Sequence, residues 1–149
     1  MRVMSVAKFE RFFREAASID VDKDDLRRYE DFVNDKVHDL LLRGQATAKA
    51  NLRDVIEPHD LPITKGLQER IESFRKIDEE IELTPILDQL TIRPALHMAY
   101  SDETEAELPR IVGGLSLALA HTFKILDPDL KNPHAVEWER ARKVFDELM

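Results

Sequence analysis

Apolar residues recur along this chain at helical spacing almost from the start. Val6, Phe9, Phe12, Phe13 and Ala16 fall three and four residues apart, which predicts one amphipathic helix of about three turns with Ser5 as its N-cap. Residues 18–22 break the pattern, because Ile19 and Val21 alternate with acids, and predict a short extended link. Asp22 or Asp24 then caps a second, much longer helix, since a carboxylate there accepts from free backbone N–H groups and suits the helix dipole. Leu26, Tyr29, Val33, Val37, Leu40, Leu41 and Ala48 keep the period for about 27 residues, with Gly44 as the sole interruption. An extended loop follows at 53–58. Asp60 is expected to open a third helix with Pro62 in its first turn and Leu67, Ile71, Phe74 and Ile77 on its inner face.

The same order returns. Thr84 and Pro85 open a short helix carrying Ile86, Leu87 and Leu90, and residues 91–100 form a link. Ser101 caps a long helix with Glu103, Glu105 and Glu107 near its N-terminal end and Leu108, Ile111, Val112, Leu115, Leu119, Phe123 and Leu126 along its buried stripe. Pro109 lies inside it and is expected to bend it. Asn132 caps a last helix with Pro133 in its first position and Val136, Ala141, Val144, Phe145 and Leu148 facing inward. The expected fold is therefore all-α: short, long, short, twice. No flexible linker separates the halves, so residues 1–149 are expected to form one domain of two units, 1–78 and 79–149.

Composition narrows the chemistry. The chain has no cysteine, which excludes disulfides, thiolate metal sites and a cysteine nucleophile, and fits a reducing cytoplasm. Charges punctuate the N-terminal stretch, which has no signal-peptide core. The longest weakly polar run, residues 111–120, is far short of the roughly 20 residues that span a bilayer, so no membrane association is expected. Net charge is −8, and all of it lies beyond residue 76. Such a balance opposes non-specific phosphate binding.

Specific patterns resolve into plain roles. Asp20-Val-Asp22-Lys-Asp24 begins like a calcium loop, but Asp25 stands where a glycine is needed and Asp31 where a glutamate is needed, so a capping cluster is the better reading. Asp35 with His38, and His134 with Glu137, do not form the Glu-x-x-His pairs of di-iron bundles. His59 and His97 have no partner in the sequence pattern, and His121 reads as a partly buried histidine. Gly113-Gly114 follows no strand, so it reads as a close helix approach where the two long helices cross. Trp138 is either an anchor exposed for a partner or a cover at the edge of the core. No catalytic, metal or cofactor constellation emerges.

Short–long–short with two brief loops resembles the histone fold. The most specific match is Arg53, Val55, Ile56 and Asp60, which stand in the order and spacing of the second loop of archaeal histones. The whole chain, through VMSVAKFERFFREAASIDVDKDD, RDVIEPHDLPITKGLQE and IVGGLSLALA, resembles the bacterial single-chain histone-fold doublets, a group catalogued as a domain of unknown function. The resemblance implies tandem histone folds packed on each other as an intramolecular pseudo-dimer, with Arg53 and Asp60 as a structural ion pair. It departs from archaeal histones at Val55, where those carry a phosphate-gripping threonine, and in the second half, which lacks the Arg-to-Asp spacing.

The resemblance also implies three DNA-facing places. One end would set Asp20, Asp22, Asp24 and Asp25 beside Asp127 and Asp129, with only Lys23 and Lys131 to offset them. The other would hold Arg53 and Arg93 with Asp54 and Glu57. The centre would set Lys8, Arg11 and Arg14 against Asp78, Glu79, Glu80 and Glu82. Lys8, Arg11, Arg14, Arg53 and Arg93 are the candidate DNA contacts, but the acids leave few phosphates to neutralise. The expected function is a non-enzymatic interaction module that binds an unidentified protein partner or its own copies. A weakly DNA-binding, nucleoid-associated histone-like protein is the alternative, and a metal-dependent enzyme a distant third.

Overall fold

In the computed structural model, residues 6–83 and 96–149 are described. They form five helices and one short parallel strand pair: α1 (Val6–Ala17), α2 (Lys23–Ala50), β1 (Val55–Ile56), α3 (Lys65–Ile81), β2 (Ala99–Tyr100), α4 (Asp102–Leu126) and α5 (Ala135–Leu148). The expected caps at Ser5 and Thr84, the short helix after Thr84, and Arg93 lie outside the described residues.

The hydrophobic pattern sets the packing. Phe9, Phe12 and Phe13 drive α1 inward, and each fully buried aromatic contributes about 2–3 kcal/mol through removal from water. One hydrophobic cluster takes in α1, α2, α3, α4 and α5 alike. Asp22 caps α2 by accepting from the N–H groups of Asp24 (2.9 Å) and Asp25 (3.1 Å), while the Asp25 carboxylate accepts from Asp22 N–H at 3.0 Å. The long helices α2 and α4 meet at a buried pair, Tyr29 Oη and Ser116 Oγ, 2.7 Å apart. Ser116 donates its proton to the Val112 carbonyl at 2.7 Å, so Tyr29 is the donor in that pair. Burial raises the Tyr29 pKa and keeps this phenol protonated.

Two helix starts differ from expectation. Helix α3 begins at Lys65, not Asp60. Residues Pro58–Asp60 form a 3-10 turn, and Leu61 is extended (φ −74°, ψ 132°), as a residue before proline prefers. Thr64 is the true cap, its hydroxyl accepting from Leu67 N–H at 3.2 Å. The last helix begins at Ala135, not Pro133, because His134 is extended (φ −103°, ψ 179°) and its N–H donates to the Glu137 carboxylate at 2.7 Å.

Gly113 and Gly114 face another partner than expected. A Cβ on Gly113 would lie 2.2 Å from the Phe74 ring, and one on Gly114 would lie 2.4 Å from Ile71 Cγ1 and 3.0 Å from its backbone nitrogen. The Gly-Gly pair therefore admits α3 onto α4, not one long helix onto the other. Gly44 accommodates Leu61 and Ile56 of the following loop.

Candidate functional site

The loops meet at both ends of the molecule. At the first end, Val55 pairs with Ala99 and Ile56 with Tyr100 in parallel register. The start of α4 reinforces the contact: Ser101 N–H donates to the Ile56 carbonyl at 3.0 Å, and the buried Thr104 hydroxyl donates to the same oxygen at 2.8 Å. At the second end, Asp20 N–H donates to the Lys131 carbonyl at 2.7 Å. Each end thus joins a loop from the first half of the chain to one from the second.

Arg53 and Asp60 form a two-pronged ion pair at the first end. Nη1 and Nη2 donate to the two carboxylate oxygens at 2.6 and 2.5 Å. Asp60 also accepts from Glu57 N–H at 2.8 Å, and its side chain is buried. Chiefly through Arg53, its pKa is lowered to about 2. The guanidinium is thereby committed to the fold, with its Nη1 also near the Val55 carbonyl. Asp54 and His59 lie beside it in sequence, and Asp102 and Glu103 stand exposed at the start of α4.

The second end is acidic on its surface. Asp20, Asp22, Asp24, Asp127 and Asp129 are exposed, with Lys23 and Lys131 among them. Asp25 does not belong to that surface. It is buried and accepts the indole N–H of Trp138 at 2.9 Å, with Arg28 at 3.5 Å. Burial raises its pKa despite those donors. A groove of about 830 Å³ runs past this end between the first turns of α2 and residues 133–135, and Val6 forms part of its wall.

The candidate basic residues of α1 lie near acids or carbonyls. Lys8 Nζ is 3.5 Å from the Glu82 carbonyl, which sets α1 beside the end of α3. Arg11 pairs with Glu15 at 3.3 Å, and Arg14 lies 3.6 Å from Asp20. Trp138 is not a surface anchor. It is 6% exposed and packs edge-on against Phe123, with ring centroids 5.0 Å apart. His121 is half-buried, and burial followed by nearby Arg70 lowers its pKa. Asp35, one of the residues weighed for metal binding, is paired with Arg142 of α5. No helix among the described residues is long and apolar enough to cross a membrane.

The resemblance to archaeal histones pointed to Arg53 and Asp60. It did not find Lys36, a lysine in the middle of α2 that is 2% exposed and pairs with Asp146 of α5. Its helical position gave the only signal, since it lies between the apolar positions Val33 and Val37.

An all-α chain whose loops pair across both ends is the class these observations define. The chain belongs to the family described as a domain of unknown function, DUF1931, whose profile matches residues 9–146. It is similar over 99% of both chains to a crystallographically solved protein of Thermus thermophilus, at 47% identity and a TM-score of 0.86. It also resembles the crystal structure of protein AQ328 from Aquifex aeolicus, at 26% identity and a TM-score of 0.83, over 96% of this chain and 94% of that one. An uncharacterized protein of Aquifex aeolicus strain VF5 is 28% identical over 99% of this chain and 86% of its own length.

Proposed function

We propose that the chain is a tandem histone-fold doublet, closed on itself as an intramolecular pseudo-dimer, that works without catalysis as a protein interaction module. The observation that carries this reading is the double crossing of loops: β1 with β2 at one end and Asp20 with Lys131 at the other. A lone short–long–short unit would expose the apolar face of its long helix. Here α4 meets α2 at Tyr29 and Ser116 and takes α3 against Gly113 and Gly114, which supports the reading that the chain supplies its own partner. The lengths of α1, α2 and α3 (12, 28 and 17 residues) follow the same plan.

Charge placement favours protein over DNA as the partner. Arg53 is spent on Asp60, the opposite end presents five exposed aspartates, and the cations of α1 sit near acids or carbonyls. Few phosphates could be neutralised at once. Fluorescence anisotropy with a labelled duplex at low salt tests the ordering, using an Arg11→Ala/Arg14→Ala variant as control. Weak binding that the variant does not change is expected. Binding at micromolar or tighter affinity that weakens steeply with salt and is lost in the variant would make DNA the partner instead.

A further inference from the structure

Leu52 stands apart at the first end. Among the exposed large apolar side chains of the described residues it is the most exposed, at 96%, and its backbone lies in the left-handed region at φ 59°. That position, just after α2, favours glycine or asparagine, and an exposed leucine there contributes almost no burial to a single chain. A strained residue whose side chain packs on nothing of its own points to a use outside its own fold. Lys49 and Asp54 beside it are exposed too, and neither has an ion-pair partner among the described residues. At the same end a groove of about 400 Å³ opens between residues 58–63, α3 and α4. The buried Leu61 and Ile111 line it with the half-buried Ile63 and Ile71, while Leu52 of the same chain does not. Two ion pairs border it, Arg75 with Glu72 and Arg110 with Glu107, each at 3.3 Å.

We propose that this end is the contact between two copies of the chain, each placing Leu52 in the other's groove about a two-fold axis. Charge complementarity selects a second copy as the occupant. Lys49 and Asp54 bring one free charge of each sign, and the groove's border offers Glu72 and Glu107 to the lysine and Arg75 and Arg110 to the aspartate. One surface thus carries both the anchor and its receptor, as a two-fold contact requires. The contact is small, because each copy gives one leucine and one groove, so the association is weak. This inference rests on the reading of the chain as a protein interaction module and names its partner.

Sedimentation equilibrium of the full chain tests it. A monomer–dimer equilibrium with a dissociation constant of about 10–100 μM is expected, as contacts of this size give. Leu52→Gly relieves the backbone and removes the anchor. It should melt no lower than the wild type in dilute solution, yet dimerise at least about ten-fold more weakly. Leu52→Met keeps an apolar anchor and should dimerise about as the wild type does. The chain has no cysteine, so engineered thiols report the geometry. A Leu52→Cys chain mixed with an Arg75→Cys chain and a short thiol cross-linker should give a link between the two positions. Mixed instead with a Lys143→Cys chain, whose exposed site lies on α5, it should give none. A chain that stays monomeric at about 0.5 mM, well above the expected constant, would overturn the proposal. So would Leu52→Gly dimers as tight as the wild type's, or equal linking to the Arg75 and Lys143 positions. A monomeric chain would still leave the interaction reading to a foreign protein, so the two readings fail separately.

Discussion

At one end of the molecule β1 lies against β2, and at the other the link at 18–22 lies against the loop at 127–134. Both ends join the first half of the chain to the second, yet their chemistry differs. The first uses parallel strand pairing, two hydroxyl-bearing residues at the start of α4 and a buried ion pair. The second is joined through the backbone, Asp20 N–H to the Lys131 carbonyl, and leaves its acids in water. Similar connections need not carry similar free energy. A charge buried in a satisfied pair becomes part of the fold, whereas exposed charges set what the surface repels.

Removing one partner of the buried pair should have the largest effect on this contrast. Arg53→Ala leaves the Asp60 carboxylate buried with the Glu57 N–H but without its guanidinium, and should lower the urea midpoint clearly. Asp129→Ala at the opposite end should change stability by less than about 0.5 kcal/mol, and in the stabilising direction, because it removes one of several like charges. Urea unfolding of the two variants measures both. Similar losses at the two ends would erase the distinction drawn between them.

Acid should separate the ends with opposite sign. The folded-state pKa of Asp60 lies below its ordinary value of 3.8, at about 2. Its contribution is therefore complete above the ordinary value and disappears as pH falls from there toward 2. Asp25 is raised instead, mainly by burial. Its contribution is complete below the ordinary value and is lost as pH rises through the folded-state value. Carboxyl NMR titration of the folded protein should give an Asp60 midpoint below 3.8 and an Asp25 midpoint above it. Midpoints in the reverse order would mean that Asp25, not Asp60, holds the better-compensated charge.

The helices were readable because apolar spacing reports which face is buried. Arg53 and Asp60 were readable only through the resemblance of their loop to the second loop of archaeal histones, which implies an ion pair at that separation. Other features depend on contacts between distant segments. Nothing local distinguishes Asp25 from Asp22 and Asp24, since only Trp138, far along the chain, gives it a buried donor. Gly113 and Gly114 announced a close approach but not that Phe74 and Ile71 would fill it. Asp60 looked like a helix cap because it satisfies a backbone N–H, but the donor is Glu57 N–H in a 3-10 turn.

The backbone turns that end the helices were hidden for another reason: they contain no glycine. Leu52, just after α2, has φ 59°, and Ser18, just after α1, has φ 54°. After α2, Leu52 N–H donates to the Lys49 carbonyl and Arg53 N–H to that of Ala48, a helix-ending pattern that normally places glycine at the left-handed position. Leu52 is 96% exposed, so its side chain offers almost no burial to offset that strain. Leu52→Gly should therefore stabilise the first end by about 0.5–1 kcal/mol, as relief of the left-handed penalty exceeds the added entropy of the unfolded chain. Ser18→Gly at the second end should gain less, because a short polar side chain tolerates this region better. Thermal melts of the two variants rank the gains. A loss in Leu52→Gly would mean that the leucine side chain supports the Arg53 loop, and the first end would then owe part of its hold to an apolar contact as well as to charge.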